Sequence, residues 1–267
     1  MSNKSYVGGY ENRAEIKIDG ETWTEITEQF STELAETAPH ENLGTNTPRF
    51  TEPHGKYLYA RLRAVHRHCK DWSNLKTVWL SLTADEKNES GEWVHPLRHD
   101  DGFRSSAVKQ ALYRARRRLD VEQWAGVWVM APRKTGYSHR HYAFWLDTVE
   151  SIEAIESAFE RVVKSHVSAH PMASADGNPV GQAVQVRKDD DCKKLLPEIA
   201  HNIPEIGPDT DVRNLSEDWQ YARIWCALYS TDDRVRQYGL GRFKEIADDA
   251  RAESLPSGEW EHGKGWN

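Results

Sequence analysis

The segment Gly136-Tyr-Ser-His-Arg-His-Tyr-Ala-Phe-Trp-Leu-Asp147 carries two histidines two residues apart in a run of aromatic and apolar residues. Such a run is typical of a β-strand rather than a helix. Because successive side chains of a strand alternate between its two faces, we expect His139 and His141 to point the same way. The apolar residues that follow fall on both faces, which predicts a strand in the middle of a sheet covered on both sides.

Two imidazoles on one face of a strand lie close enough to share a metal ion. On a covered strand, such imidazoles are either buried structural groups or ligands of a metal site. The spacing of His139 and His141 is compatible with both interpretations.

The stretches around this strand alternate between the period of a strand and the period of a helix. Strand-like alternation covers residues 77–83, 126–130 and 182–188, and helical spacing of apolar residues covers 56–72 and 103–119. A further helix is predicted to begin after Ser151, whose hydroxyl is a good N-cap. Its predicted buried face consists of Ile152, Ile155, Phe159, Val162 and His166.

From residue 77 to residue 188 the predicted order is strand, helix, strand, strand, helix, strand. This is the split β-α-β order of ferredoxin-like folds, in which both helices pack on one face of an antiparallel sheet. The sequence therefore predicts an α+β protein with a ferredoxin-like sheet and additional helices on either side of it.

The chain has 267 residues, enough for one domain with a full hydrophobic core. Residues 1–53 are polar and acidic and are predicted to form an N-terminal extension. Residues 54–205 contain the predicted sheet with its helices and form the core. Residues 206–267 are predicted to be a helical region that packs on the core or follows it.

The composition bounds the class of protein. The formal net charge of −7 argues neither for nor against nucleic acid, because binding depends on local patches. Three widely spaced cysteines form neither a disulfide framework nor a zinc pattern, which is typical of a reduced, intracellular protein. There is no apolar run long enough to span a bilayer and no signal-peptide pattern, so we expect a soluble, cytoplasmic protein without a membrane partner.

The segment from Gly136 to His141, with the apolar residues after it, resembles the His-hydrophobe-His motif of HUH endonucleases. The resemblance is greatest to the rolling-circle replication initiators of haloarchaeal plasmids and viruses, and it covers roughly residues 75–245. It implies an HUH-type core that binds DNA and nicks one strand at an origin, by attack of a tyrosine on the scissile phosphate with help from Mg²⁺ or Mn²⁺. Arg140 departs from the motif, because the family has an apolar residue there.

The resemblance implies a metal site on His139 and His141 with a carboxylate as third ligand. In the family that carboxylate is a glutamate at the end of the preceding strand, where this chain has Ala131. Alanine cannot bind a metal, so the third ligand comes from elsewhere or is water. Asp85, which follows the predicted strand 77–83, is the best substitute, although it also has the character of a turn or cap residue.

The catalytic tyrosine is the second departure from the family. The family carries it on a helix after the last strand, as Tyr-Leu-x-x-Tyr-Leu, and the matching positions here are Glu198 and Asn202. Neither can form a phosphotyrosine. The nucleophile is therefore expected further along the chain, with Tyr221 the first candidate and Tyr229 and Tyr238 the alternatives.

Two predicted helical segments, residues 56–70 and 103–119, are basic and free of acidic residues. One carries Arg61, Arg63 and Arg67, and the other carries Arg104, Lys109, Arg114, Arg116, Arg117 and Arg118. A charged helix face is usually only solvated, but two such helices in an acidic protein favour contacts with DNA phosphates. The expected partners are single-stranded or origin DNA, followed by host replication proteins.

Two other interpretations remain beside a nicking initiator. The first is a nicking-deficient, Rep-like DNA-binding regulator or accessory replication protein. The second is a metal-independent structural or interaction module in which His139 and His141 are core residues.

Overall fold

A computed structural model of the chain describes residues 17–18, 21–22, 25, 52–92, 94, 99, 103, 106–132, 137–170, 173–174, 183–202 and 239–254. The strands are β1 (Lys17–Ile18), β2 (Glu21–Thr22), β3 (Leu75–Ala84), β4 (Val121–Pro132), β5 (Ser138–Thr148), β6 (Ala173–Ser174), β7 (Val184–Lys188) and β8 (Gly239–Gly241). The helices are α1 (Glu52–Cys69), α2 (Ser106–Arg118), α3 (Ile152–Ala169), α4 (Leu195–Asn202) and α5 (Phe243–Ser254), with a 3₁₀ helix at Asp189–Lys194 before α4. The protein is of the α+β class.

The main sheet has six strands, and every pairing in it is antiparallel. Strand β5 lies between β3 and β4, as the apolar residues on both of its faces predict. The other edge of β3 pairs with β7 and, at its end, with β6. The other edge of β4 pairs with β8, while β1 and β2 form a separate pair.

One face of the sheet carries Ala143 and Trp145 of β5, and alternation along the strand puts His139 and His141 on the same side. We call it the histidine face. Helices α1, α4 and α5 cover it and contribute a continuous core. The core residues from the three helices are Leu62, Val65, Cys69, Leu195, Leu196, Ile199, Phe243, Ile246 and Ala247.

The opposite face carries Tyr142, Phe144 and Leu146 of β5 and is covered by α2 and α3. The N-cap of α3 is confirmed, since Ser151 Oγ accepts a hydrogen bond from the Ala154 amide at 3.2 Å. Its predicted buried face is confirmed except at Ile152, which is only half-buried in the first turn. The core residues from the two helices include Val108, Ala111, Ala115, Ile155, Ala158, Phe159, Val162 and Val163.

The region after residue 205 contributes to the core as well as following it. Strand β8 adds a strand to the sheet at the edge of β4, and α5 packs against α1. Gly241 has a φ of 59°, and a Cβ at this position would lie 2.7 Å from the ring of Trp124. Glycine is therefore required where β8 turns into α5.

Two of the three cysteines, Cys69 and Cys192, are buried free thiols, and Cys226 lies outside the described residues. Burial raises the pKa of both thiols, which keeps them protonated and makes them poor nucleophiles. Within the described part of the chain, no helix has the length and apolar character needed to cross a membrane.

Candidate metal and nucleic-acid sites

The rings of His139 and His141 are in contact on the histidine face. Their centroids are 4.4 Å apart and the ring planes are nearly perpendicular, at 87°. His141 is buried, with 6% of its surface exposed, and His139 is half-buried. The prediction that the two imidazoles lie on one side of the strand and close together is confirmed.

His141 is held from the neighbouring strand β3. Ser81 lies directly opposite it in the sheet, and Ser81 Oγ is 2.8 Å from His141 Nδ1. The indole of Trp79 stacks on the imidazole, with centroids 4.6 Å apart and an angle of 26° between the planes. The contact of Ser81 with Nδ1 fixes the orientation of the His141 ring.

The described residues supply two metal-binding side chains at this place but not a complete set. Ala131 is the cross-strand neighbour of His139 and is buried, so the position of the family's glutamate borders the histidine pair. Asp85 is exposed just beyond the end of β3. No three His, Cys, Asp or Glu side chains are grouped for a metal in the described part of the chain, so Asp85 does not complete a three-ligand set with the two histidines.

Arg140 points to the opposite face, where aromatic rings receive it. Its guanidinium lies 4.4 Å from the ring centre of Trp128 and 5.4 Å from that of Phe103. It also donates a hydrogen bond to the Phe103 carbonyl at 3.2 Å, and only 6% of the residue is exposed. Two aromatic faces and a carbonyl therefore accommodate a charged residue at a position where the motif has an apolar one.

Three more histidines form a cluster on this face, with His99 and His166 against Phe103 and His170 against His166, and the sequence did not predict the cluster. His166 stacks on Phe103, with centroids 5.4 Å apart, and its Nε2–H donates to the Thr83 carbonyl at 3.2 Å. His99 Nε2–H donates to the Ala84 carbonyl at 2.9 Å, and the His170 ring centre is 5.6 Å from that of His166. The helical period predicts a buried His166, but no local pattern brings His99 to it.

Two histidines of this cluster, His166 and His170, are packing groups at neutral pH. Burial lowers the pKa of His166 to about 4, and the nearby charge of Arg140 acts in the same direction. Burial also lowers the pKa of His170. Neutral imidazoles beside a buried guanidinium avoid repulsion between like charges.

Helix α4 packs on the histidine face, but the side chain at the first family tyrosine position is used elsewhere. Glu198 accepts two hydrogen bonds from Arg187 of β7, at 2.8 and 2.6 Å. The helix ends at Asn202, the second such position. The candidate nucleophiles Tyr221, Tyr229 and Tyr238 all lie outside the described residues.

The two basic helices lie on opposite sides of the sheet, which the sequence did not indicate. On the histidine face, Arg63 and Arg67 of α1 are exposed, while Arg61 forms an ion pair with Asp248 of α5 at 3.2 Å. On the opposite face, α2 exposes five basic side chains, and Arg104 lies outside the described residues. The five are Lys109, Arg114, Arg116, Arg117 and Arg118.

No family model, curated protein or solved structure matches this chain. The functional interpretation therefore depends on the contacts described above and on the resemblance of the histidine segment.

Proposed function

We propose that the protein is a DNA-binding replication initiator of the HUH type, which nicks one strand at the origin of a plasmid or virus that replicates by a rolling circle. The observation that carries the proposal is the contact between the His139 and His141 rings, 4.4 Å apart on a central strand. Two imidazoles that bind one metal ion have to lie close together, and these two rings do. The proposed place of action is the cytoplasm of an archaeal host.

The strand order supports a ferredoxin-like core of the HUH type. Strands β7, β3, β5 and β4 are neighbours in that order, and the chain visits them as β3, β4, β5 and β7. The crossover helices α2 and α3 both contribute to the core on the opposite face. In a ferredoxin-like fold two helices likewise pack on one side of an antiparallel sheet.

His139 and His141 would hold Mn²⁺ or Mg²⁺, with water rather than the exposed Asp85 as the next ligand. Mn²⁺ and Mg²⁺ prefer oxygen ligands, so a site with only two protein nitrogens would leave its other positions to phosphate oxygens and water. When bound, the ion polarises the scissile phosphate. The chain's own contribution is orientation, because Ser81 and Trp79 fix the ring of His141.

The proposed reaction is a transesterification. A tyrosine hydroxyl loses its proton and its oxygen bonds to the phosphorus, while the bond from phosphorus to the 3′ oxygen breaks. The departing 3′ oxygen takes up a proton, so the products are a 5′-phosphotyrosine and a 3′-hydroxyl. Tyr221 is our first candidate and follows α4 in the chain, ahead of Tyr229 and Tyr238.

The second candidate is a regulator or accessory replication protein that binds DNA without nicking it. One contact favours it, because the first family tyrosine position is a glutamate held by Arg187 on β7. A residue tied into an ion pair there indicates that the position has a structural use.

The deciding experiment is a covalent-adduct assay. The protein is incubated with single-stranded origin DNA and Mn²⁺ and run on a denaturing gel, as wild type and as Tyr221→Phe, Tyr229→Phe and Tyr238→Phe. Tyr113→Phe is the matched control, because Tyr113 is an exposed tyrosine on the opposite face.

We expect an adduct that requires Mn²⁺, is lost in Tyr221→Phe and is kept in the control. If the adduct is lost in Tyr229→Phe or Tyr238→Phe instead, that tyrosine is the nucleophile. Absence of any adduct, together with intact DNA binding, would contradict nicking and favour the regulator.

A further inference from the structure

An aromatic side chain is exposed in the middle of the basic helix α2. Tyr113 has 54% of its surface exposed, and Val149 is the other large apolar side chain that is exposed in the described part of the chain. The guanidinium carbons of Arg116 and Arg117 lie 5.6 and 5.7 Å from the centre of the Tyr113 ring. Both arginines are exposed as well.

The surface continues from the helix onto strand β4. The guanidinium of Arg116 also lies 5.5 Å from the ring centre of Trp124, so this arginine sits between two aromatic rings. Trp124 is half-buried and is packed from below by Phe144, at 6.0 Å between centroids. We call Tyr113, Arg116, Arg117 and Trp124 the aromatic-arginine surface. It belongs to the side of the sheet that faces away from His139 and His141.

We propose that the aromatic-arginine surface is a second contact site for single-stranded DNA, which stacks bases on Tyr113 and the arginine planes and binds without a metal. The proposal rests on the proposed function only in taking DNA as the partner. It adds that a strand held at the histidine pair has a separate anchoring site across the sheet.

Charge and shape together favour a nucleic acid. Described residues of α2 include no acid, and basic side chains follow one another along the helix, which suits a chain of regularly spaced phosphates. An acidic polypeptide would satisfy the charges but would leave the exposed ring without a planar partner. Every nucleotide supplies both a phosphate and a base with a π-face, and proteins that bind single strands combine aromatic stacking with a basic groove.

The test is fluorescence anisotropy in EDTA with three labelled probes, an oligothymidylate, an abasic phosphodiester of the same length and polyglutamate. Four variants are compared with the wild type: Tyr113→Leu, Tyr113→Phe, Arg117→Ala and, as the control, Val149→Ala. Val149 is matched because it is also exposed and apolar, with 74% of its surface accessible. None of these substitutions touches the core, and circular dichroism verifies the fold.

We expect Tyr113→Leu to weaken oligothymidylate binding roughly tenfold, which is the effect of losing about one stacked base. The affinity for the abasic probe should not change. Tyr113→Phe should bind as the wild type does, because it keeps the ring. Arg117→Ala should weaken binding of the oligothymidylate and of the abasic probe, and Val149→Ala should change neither affinity.

Equal affinities of Tyr113→Leu and wild type for oligothymidylate would overturn the proposal. Polyglutamate binding that falls as much as oligothymidylate binding in Tyr113→Leu would assign the surface to an acidic polypeptide and also overturn it. If a metal-dependent adduct forms but Tyr113→Leu does not change DNA affinity, the proposed nicking function is supported and this second site is not. Base-dependent binding in EDTA without any adduct would support this surface and contradict nicking.

Discussion

The two faces of the sheet use consecutive residues of one strand in different ways. On the histidine face, His139 is half-buried and touches His141, whose other side is held by Ser81. On the opposite face, Arg140 is closed in by two aromatic rings and is only 6% exposed. Polar side chains in the middle of a covered sheet thus have two roles. We propose that one face keeps a pair within reach of a ligand, while the other uses its polar groups for packing.

The largest effect is expected in the core of the histidine face. Trp145 is fully buried, and its Nε1–H donates to His66 Nδ1 at 3.2 Å. Trp145→Ala should lower the free energy of unfolding by about 3–5 kcal/mol, because it leaves a large cavity and an unpaired imidazole nitrogen. Urea denaturation measures this, with the exposed Val149→Ala as control. A loss below about 1 kcal/mol would contradict the packing described for this face.

The next effect concerns pH and belongs to the opposite face. The pKa of His166 is lowered by burial from 6.5 to about 4, so between these values the unfolded chain binds a proton that the folded chain does not. Above pH 6.5 the group is neutral in both states and contributes no pH dependence. As the pH falls from 6.5 to 4, folding should lose about 3 kcal/mol through this group.

Urea denaturation at pH 7.5 and pH 4.5 checks this pH effect. His166→Gln should reduce the loss of stability between the two pH values. Phe159→Leu, a core substitution on the same helix without a titratable group, should lower stability at both pH values and keep the full loss. An unchanged pH dependence in His166→Gln would show that His166 titrates normally.

A smaller effect tests the orientation of the histidine pair. Ser81→Ala removes the hydroxyl 2.8 Å from His141 Nδ1, so the imidazole is no longer fixed in orientation and tautomer. Groups of this kind contribute roughly 10- to 100-fold to metal affinity. We expect Mn²⁺ to bind about tenfold more weakly to Ser81→Ala in calorimetry. Ser81→Thr, which keeps a hydroxyl, should bind as the wild type does, and equal affinity in Ser81→Ala would rule out this positioning role.

The smallest effect tests whether the two faces are independent. Arg140→Met places an apolar residue where the motif has one and removes the charge near His166. Burial is the main cause of the low pKa of His166, and the charge of Arg140 adds to it, so the pKa should rise in this variant. NMR titration of the histidines measures that rise. Mn²⁺ affinity should stay unchanged, and a large loss of affinity would mean that the two faces are coupled.

The sequence predicts most of the local secondary structure. It predicts few of the contacts between side chains on different strands and helices. The apolar residues that follow His139 and His141 fall on both faces of the strand and predict that it is central. The Ser151 cap predicts the start of α3. These features depend on neighbouring residues. The contact of Ser81 with His141 depends on the register of two strands whose contacting residues are 60 positions apart, and no local pattern encodes that register.

The sequence does not predict the long-range contacts around Arg140 for the same reason. The ring of Trp128 that contacts Arg140 comes from the neighbouring strand, and His99 belongs to the segment that precedes α2 in the chain. Acid-free helices are visible in the sequence, but the side of the sheet that each covers is decided by tertiary packing. Tertiary packing puts the basic residues of α1 and α2 on opposite faces, which the sequence did not indicate.

Titration calorimetry with Mn²⁺ tests most directly whether the histidine pair is a metal site. The wild type is compared with the His139→Ala/His141→Ala double variant and with His68→Ala, which removes an exposed histidine of α1 as a control. Circular dichroism verifies that the double variant is folded. We expect one Mn²⁺ per chain in the wild type and the control, and none in the double variant. Equal heats in all three proteins would contradict the site and make His139 and His141 core residues.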